Sequence, residues 1–302
     1  MRRFPALLAL LPFTLATAPA AADDAATIEW MHEVAPFREL RDRKDAPVPT
    51  DAEIRAALGG EIVARRGEIP GTSLDYVWAA RVLDVDPKLF WLAIIDREHY
   101  EQLSDNIVES IITEQQPDRF FSYNVLEAPL VSTRHQVLEC FANRELYEAS
   151  DGKIWEHYWH RASDVEKRIA EALQSPKLER IGPEDVEKAV IVAHNDGSWM
   201  LIPLPDGRLW AETYSANDPG GSIPDFIVRK VAASSTEKTL KSYEAWTRRQ
   251  ARIHFGAAHP DVLAPDGTWV KPAAFINGSP AFAPQPTTGG QAGSGTGAHG
   301  DQ

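Results

Sequence analysis

Between residues 107 and 214, runs of aromatic and β-branched residues follow one another with short gaps, and the series ends in Asp-Pro-Gly-Gly-Ser-Ile-Pro at 218–224. The stretch 223–249 then spaces Phe226, Ile227, Val231 and Leu240 along one helical stripe. A strand-rich run closed by a single long helix restricts the fold more than any other feature of this chain. Strands joined by short turns pair antiparallel. Such a sheet must bury an apolar face, and the last helix is long enough to cover it. The corner at 218–224 serves that purpose, because its glycines admit positive φ and its prolines stiffen the turn. Ser222, with Asp225 three residues on, reads as the cap of the helix. The expected class is α+β: a curved antiparallel β-sheet wrapped around a long C-terminal α-helix.

Upstream, a short helix is expected within 28–43. Thr50 and Glu53 form a capping box for a second helix, which Gly59-Gly60 stops. Strands are predicted over 61–69 and 76–83, with Pro70-Gly71 as their turn. Asp86-Pro87 is a helix start, an N-cap acid followed by proline at the first helical position. The sequence KLFWLAIIDREHYEQL that follows is apolar on more than one face, so this helix is at least half buried. Further strands are predicted over 107–113, 119–126, 134–146, 154–161, 189–193, 198–203 and 208–214. Asn195-Asp196-Gly197 and Pro205-Asp206-Gly207 read as hairpin turns. The charges of 162–175 suit a surface loop or a short helix.

The first 22 residues have the form of a secretory signal peptide: Arg2 and Arg3, an apolar run over 6–15, and Ala20-Ala21-Ala22 as the cleavage site. The run is too short to span a bilayer. A periplasmic or secreted protein is expected. Cleavage removes two of the 31 basic residues and none of the 44 acids, which takes the net charge from −13 to −15. That excess argues against nucleic acid or an anionic membrane surface as the main partner, though transient membrane contact remains compatible with it. Cys140 is the only cysteine, so an exported chain has no internal disulfide and must hold together by its core. Its apolar setting suggests a buried, inert thiol. The organisation read from the sequence is residues 1–22 signal peptide, 23–49 N-terminal segment, 50–256 folded domain, and 257–302 a Pro/Gly-rich tail. From about Ser279 that tail is too poor in apolar residues to fold.

Three segments resemble the START and polyketide-cyclase (SRPBCC, helix-grip) superfamily. They are DVDPKLFWLAIIDREHYEQLSDNIVES at 84–110, EAPLVSTRHQVL at 127–138, and GSWMLIPLPDGRLWAETYSANDPGGSIPDFIVRKVA at 197–232. The likeness spans roughly 60–249. His135 stands where the family commonly has an acid, and Trp210 and Glu212 make the last strand less regular than usual. The resemblance implies a deep, mostly apolar cavity between sheet and C-terminal helix, of the kind that binds lipids, sterols, quinones or polyketides in many members. It implies no cofactor.

Motifs for other chemistry are absent. His157 and His160 are three apart on a predicted strand, so they point to opposite faces and cannot share a metal ion. There is no HExxH motif, no paired cysteine, no G-x-S-x-G elbow and no phosphate loop. No metal site is predicted. The candidate cavity residues are Tyr123, Arg134, His135, Val137, Glu139, Tyr158, His160, Trp199, Leu201, Trp210 and Tyr214 from the strands, with Phe226, Ile227 and Val231 from the helix. Alternation puts His135, Val137 and Glu139 on one face, as it does Glu156, Tyr158 and His160, and Trp210, Glu212 and Tyr214. Which face is the inner one depends on register, and a slip of one residue inverts every assignment. The leading expectation is a protein that binds or carries a hydrophobic small molecule. The alternatives are a cyclase- or hydrolase-type enzyme using His135 and Glu139 as acid and base, and an interaction protein with a solid core.

Overall fold

The computed structural model of the chain describes residues 20–104, 106–127, 132–221, 225–256 and 258–278, with the backbone alone described for 20–23 and 225–235. Its centre is one nine-stranded sheet. The strands are β1 (Val63–Glu68), β2 (Asp75–Leu83), β3 (Ile107–Gln116), β4 (Arg119–Leu126), β5 (Arg134–Ala142), β6 (Trp155–Arg161), β7 (Val190–Ile191), β8 (His194–Pro203) and β9 (Leu209–Asp218). They are ordered β1-β2-β9-β8-β6-β5-β4-β3, all pairs antiparallel, with the short β7 added parallel to β5. The helices are α1 (Ala20–Val34), α2 (Asp51–Leu58), α3 (Pro87–Ile95), α4 (Arg144–Ala149), α5 (Val165–Ala172), α6 (Asp225–Arg249), α7 (Ala251–His254) and α8 (Pro272–Asn277). A small hairpin, β10 (Val262–Leu263) and β11 (Trp269–Val270), lies between the last two.

One face of the sheet, here the inner face, carries α3 and α6. Asp86 caps α3 by accepting hydrogen bonds from the amides of Lys88 and Leu89, with Pro87 at the first helical position. Every residue of α3 from Leu89 to Ile95 is buried, in accord with its apolar faces all round. The described half of α6 docks through Leu240, Tyr243 and Trp246. The Tyr243 ring lies 5.1 Å from that of Trp199 and 6.1 Å from Phe90, and Arg81 of β2 pairs with Glu244 at 2.5 Å. The large antiparallel sheet with its C-terminal helix is the α+β class expected from the sequence.

The outer face is covered as well. The segment 24–58 lies across β2, β9 and β8, burying Trp30, Met31, Val34, Ile54 and Ala57 against Trp78, Met200, Trp210 and Tyr214. Arg38, in a 3₁₀ turn over Ala35–Leu40, clamps Glu212 through two hydrogen bonds of 2.8 and 3.1 Å. Over β3, β4 and β5 the cover is α5, whose Val165, Ile169 and Ala172 pack on Phe121, Tyr123 and Val137.

Three local readings change. Asn195-Asp196-Gly197 is not a turn but part of β8, which pairs with β9 from His194 to Pro203. The glycine is needed for space: a β-carbon on Gly197 would overlap the Trp159 ring and sit 2.7 Å from the Tyr214 carbonyl oxygen. The run 134–146 is a strand only to Ala142, where Asn143 caps α4. The charged stretch 162–175 takes the second of its two expected forms, the short helix α5, with three buried residues. The folded unit also continues past residue 256. Trp91 donates to the Leu263 carbonyl at 2.9 Å, Trp269 to that of Gln116 at 2.7 Å, and Phe275 packs on Trp155. The capping box at Thr50, the turn at Pro205-Asp206-Gly207 and the start of α3 at Asp86 lie where the sequence puts them. At the corner, Gly220 and Gly221 have φ of +69° and +70°, as a chain reversal requires. Ser222, the predicted cap, and residues 1–19 and 279–302 lie outside the described residues.

Candidate ligand-binding site

The register of the sheet fixes which side chains look toward α6. One row across the strands reads Phe120, Cys140, Trp159, Gly197, Ser215 and Val77, and the next reads Ala142, His157, Trp199, Thr213 and Ala79. Beyond Phe120 lie the rows Ser122–Leu138 and Asn124–Gln136. This face has two regions. At the end nearer α3 it is closed by the protein's own rings: Trp91 meets Trp155 edge-on at 6.2 Å, and Phe90 meets Trp199 at 5.7 Å. Toward the corner at Gly220 it turns polar while staying buried, with Ser110, Ser122, Asn124 and Gln136 all under 4 % exposed.

These polar groups are joined. Ser110 donates to Asn124 at 2.8 Å, Asn124 to the Ser122 hydroxyl at 3.2 Å, Asn195 to Gln136 at 2.9 Å, and the Trp159 indole to Asn195 at 2.9 Å. Beside them lies Arg97, 4 % exposed, in the 3₁₀ turn Arg97–Gln102 that follows α3. Its guanidinium sits over the rings of Tyr100 and Trp159, 4.4 and 4.9 Å from their centres. One of its terminal nitrogens donates to His157 Nε2 at 2.8 Å, and its Nε has no hydrogen-bond partner among the described residues. No carboxylate pairs with it among them. His157 Nδ1 donates to the Phe141 carbonyl at 2.8 Å, which fixes the tautomer that leaves Nε2 to accept from Arg97. Burial and the Arg97 charge hold the His157 pKa well below its ordinary value, so the ring is neutral. Burial likewise pushes the Cys140 thiol up to about 11. A guanidinium removed from water without a counter-charge is costly, and its planar fork suits an oxygen acceptor.

The fourteen predicted cavity residues divide by face. Trp199 and Leu201 lie on the inner face, in the filled region, and Arg134 shares their face near the corner, where it donates to the carbonyls of Pro219 and Gly220. Tyr123, His135, Val137, Glu139, Tyr158, His160, Trp210 and Tyr214 point outward. Tyr123 and Val137 pack under α5, and Trp210 and Tyr214 under the N-terminal segment. His135 contacts the Tyr123 hydroxyl at 3.3 Å, and Glu139 pairs with Arg119 at 3.2 Å. Tyr158 stacks on Phe141, and His160 sits between Asp42 and Asp196, which raise its pKa to about 10. The groupings by alternation hold, but the grouped faces are the outer ones. The acid–base pair His135 and Glu139 therefore faces away from α6. The side chains of Phe226, Ile227 and Val231 lie outside the described residues.

Sequence reading weighs His157 only as a metal ligand and passes over Arg97 and the polar rows. Arg97 follows a helix apolar all round, and nothing in DREHYEQL marks which of its charges turns inward. Two open recesses lie elsewhere. One, of about 710 Å³, runs along the solvent side of α6 between Lys241, Trp246 and Arg249; the other, of about 250 Å³, lies between Asp96, Phe120 and His259.

No protein-family model and no curated protein matches the chain. Among solved structures, human StAR-related lipid transfer protein 5 superposes with a TM-score of 0.50 at 13 % identity, covering 76 % of this chain and 99 % of that one. A STAR-related lipid transfer protein of Xanthomonas axonopodis gives 0.49 at 18 % identity, over 62 % of this chain and 94 % of that one. The aromatase/cyclase Zhui of a Streptomyces species gives 0.42 at 11 % identity, over 61 % and 99 %. With its nine-stranded, mostly antiparallel sheet and long C-terminal helix, the chain has the START-like fold.

Proposed function

We propose that this chain is an exported protein that binds or carries a hydrophobic small molecule, held between the polar end of the inner face and the first half of α6. The observation that carries this reading is Arg97, a buried guanidinium whose Nε has no hydrogen-bond partner and which no carboxylate pairs among the described residues, set between two aromatic rings on the face that α6 covers. The fold shared with a lipid transfer protein supports it. The Arg97 guanidinium suits a ligand with an apolar body and a carbonyl, carboxylate or phosphate head. The body gains about 25 cal/mol for each Å² of apolar area taken from water, and the head accepts from Arg97 in a low-dielectric setting where such bonds are strongest. The class remains broad: lipid, sterol, quinone or aromatic polyketide.

Export is supported by the form of residues 1–22. In the described part of α1 the first fully buried side chain is Thr27, so cleavage after Ala22 leaves all of that packing in place. Transfer would take place in the periplasm or outside the cell. No described helix is long and apolar enough to cross a membrane, so contact with a lipid surface would be transient. No observation favours the enzymatic reading: the neutral inner-face histidine, His157, has both ring nitrogens engaged.

Native mass spectrometry of the protein purified from an exporting host tests the proposal, followed by extraction of the bound molecule and titration of delipidated protein with lipids, sterols and quinones. A bound apolar molecule is expected, and Arg97→Gln should weaken its binding at least tenfold. Absence of any bound molecule, together with no binding across the panel, refutes it.

A further inference from the structure

Asp96 and Arg97 are neighbours with opposite orientations. Arg97 belongs to the inner face; Asp96, 3 % exposed, points to a second cluster at the other end of the same turn. Three imidazoles converge on one oxygen of its carboxylate. His254 Nε2 lies 2.8 Å from Asp96 Oδ2, His259 Nε2 2.9 Å and His99 Nδ1 2.9 Å. Two of these residues leave α3 and two follow α6, so distant parts of the chain meet here. A carboxylate oxygen has two lone pairs, and three nitrogens crowd it. His99 approaches off the line of a hydrogen bond. It is 1 % exposed, and neither of its ring nitrogens has a hydrogen-bond partner among the described residues. A buried imidazole with both nitrogens unmatched is costly, and a lone pair aimed at a neighbouring carboxylate is what a cation would resolve.

We propose that Asp96, His99 and His254 bind a divalent transition-metal ion of the zinc class, with His259 beside its fourth, cleft-facing position. The donor atoms of the first three all lie within 4.8 Å of one another. Imidazole and carboxylate are ordinary zinc ligands at about 2.0–2.2 Å, which puts tetrahedral ligand edges near 3.4 Å. The Asp96–His edges of 2.8 and 2.9 Å therefore need to open by about 0.5 Å, while the two imidazoles, within 4.8 Å of each other, settle onto the remaining edge. His259 has the outer bond typical of a metal-bound histidine: Nδ1 donates to the Pro260 carbonyl at 2.9 Å while Nε2 faces the cluster. The second recess, of about 250 Å³, is lined by Asp96, His259 and Asp261 and gives an ion a path from solvent. Trp246 of α6 stacks on His99 at 4.4 Å, so an ion here fastens the base of the gripping helix to the end of α3.

The test uses the full mature chain, stripped with a chelator and reloaded with Zn²⁺ or Co²⁺ alone. One equivalent of zinc by elemental analysis, the intense visible bands of tetrahedral Co²⁺, and a raised Tm on Zn²⁺ addition are the expected results. His254→Gln, at a partly exposed ring that is least able to disturb the core, should weaken zinc binding at least tenfold and abolish the cobalt bands. His32→Gln, at an exposed histidine outside the cluster, should change neither. The proposal is overturned if the wild-type chain binds no zinc at micromolar concentration, or if His254→Gln binds it as tightly as wild type. Because wild-type binding is read directly, a variant that fails to fold does not shelter the idea.

Discussion

Glu156 offers the sharpest test of how the outer face is built. It lies fully buried beneath the N-terminal segment, with Oε2 accepting from the Asp42 amide at 3.0 Å and from Asn143 at 2.7 Å, and Oε1 without a hydrogen-bond partner among the described residues. Burial pushes its pKa up to about 7 from an ordinary 4.5, against the pull of those two hydrogen bonds and the Arg41 charge. Between those values the folded chain holds a proton that the unfolded chain has released. Stability therefore falls as pH rises through this window, and the loss is complete above about 7. At 1.36 kcal/mol per unit the full effect is about 3 kcal/mol. Glu156→Gln keeps an oxygen for both donors and cannot ionise. In urea unfolding it should match wild type below about pH 4.5 and exceed it by about 3 kcal/mol at pH 8, a rise in Tm of roughly 6–12 °C for a domain of this size. A difference between the two proteins that stays constant from pH 4.5 to 8 would refute the reasoning, because it would mean the carboxyl is solvated or already charged.

Arg38→Met takes the nearer of two guanidinium partners from the Glu212 carboxylate, leaving Arg41 at 3.8 Å and the Trp210 indole at 2.9 Å; burial raises the Glu212 pKa but Arg38 and Arg41 pull it below the ordinary value. Breaking such a buried pair should cost about 3–5 kcal/mol at pH 7. The loss should shrink as pH falls and the carboxyl takes up a proton, measured by chemical denaturation at pH 7 and pH 5. Gly197→Ala should cost about 1–3 kcal/mol by overpacking against Trp159 and the Tyr214 carbonyl. Its urea midpoint compared with that of wild type decides this, and an unchanged midpoint would mean that the strand shifts freely.

The sequence was most informative where chemistry is local. The Thr50 capping box, the Asp86-Pro87 helix start, the glycine pair that reverses the chain after β9 and the order of strands before the last helix all depend on neighbours within a few residues. The resemblance carried by three segments added the grip of sheet on helix.

What it did not reveal is which way each strand faces. Inside and outside can be told from alternation only when one side meets water. Here both sides are covered, by α3 and α6 within and by the N-terminal segment and α5 without, so β4 is buried at six consecutive positions and its pattern carries no direction. For that reason alternation groups His135 with Val137 and Trp210 with Tyr214 correctly but does not tell that both groups face outward. Gly197 read as a turn because a glycine needed for close packing has the same letter as one needed for positive φ.

Arg97 and the cluster of Asp96, His99, His254 and His259 are tertiary facts in the full sense. Their members lie far apart in the chain, and their roles depend on burial and on partners that assemble only when α6 and the segment after it close on α3. Composition and element order are written in the sequence because they are properties of short stretches; the buried Arg97 and the histidine cluster exist only once distant stretches share one desolvated volume.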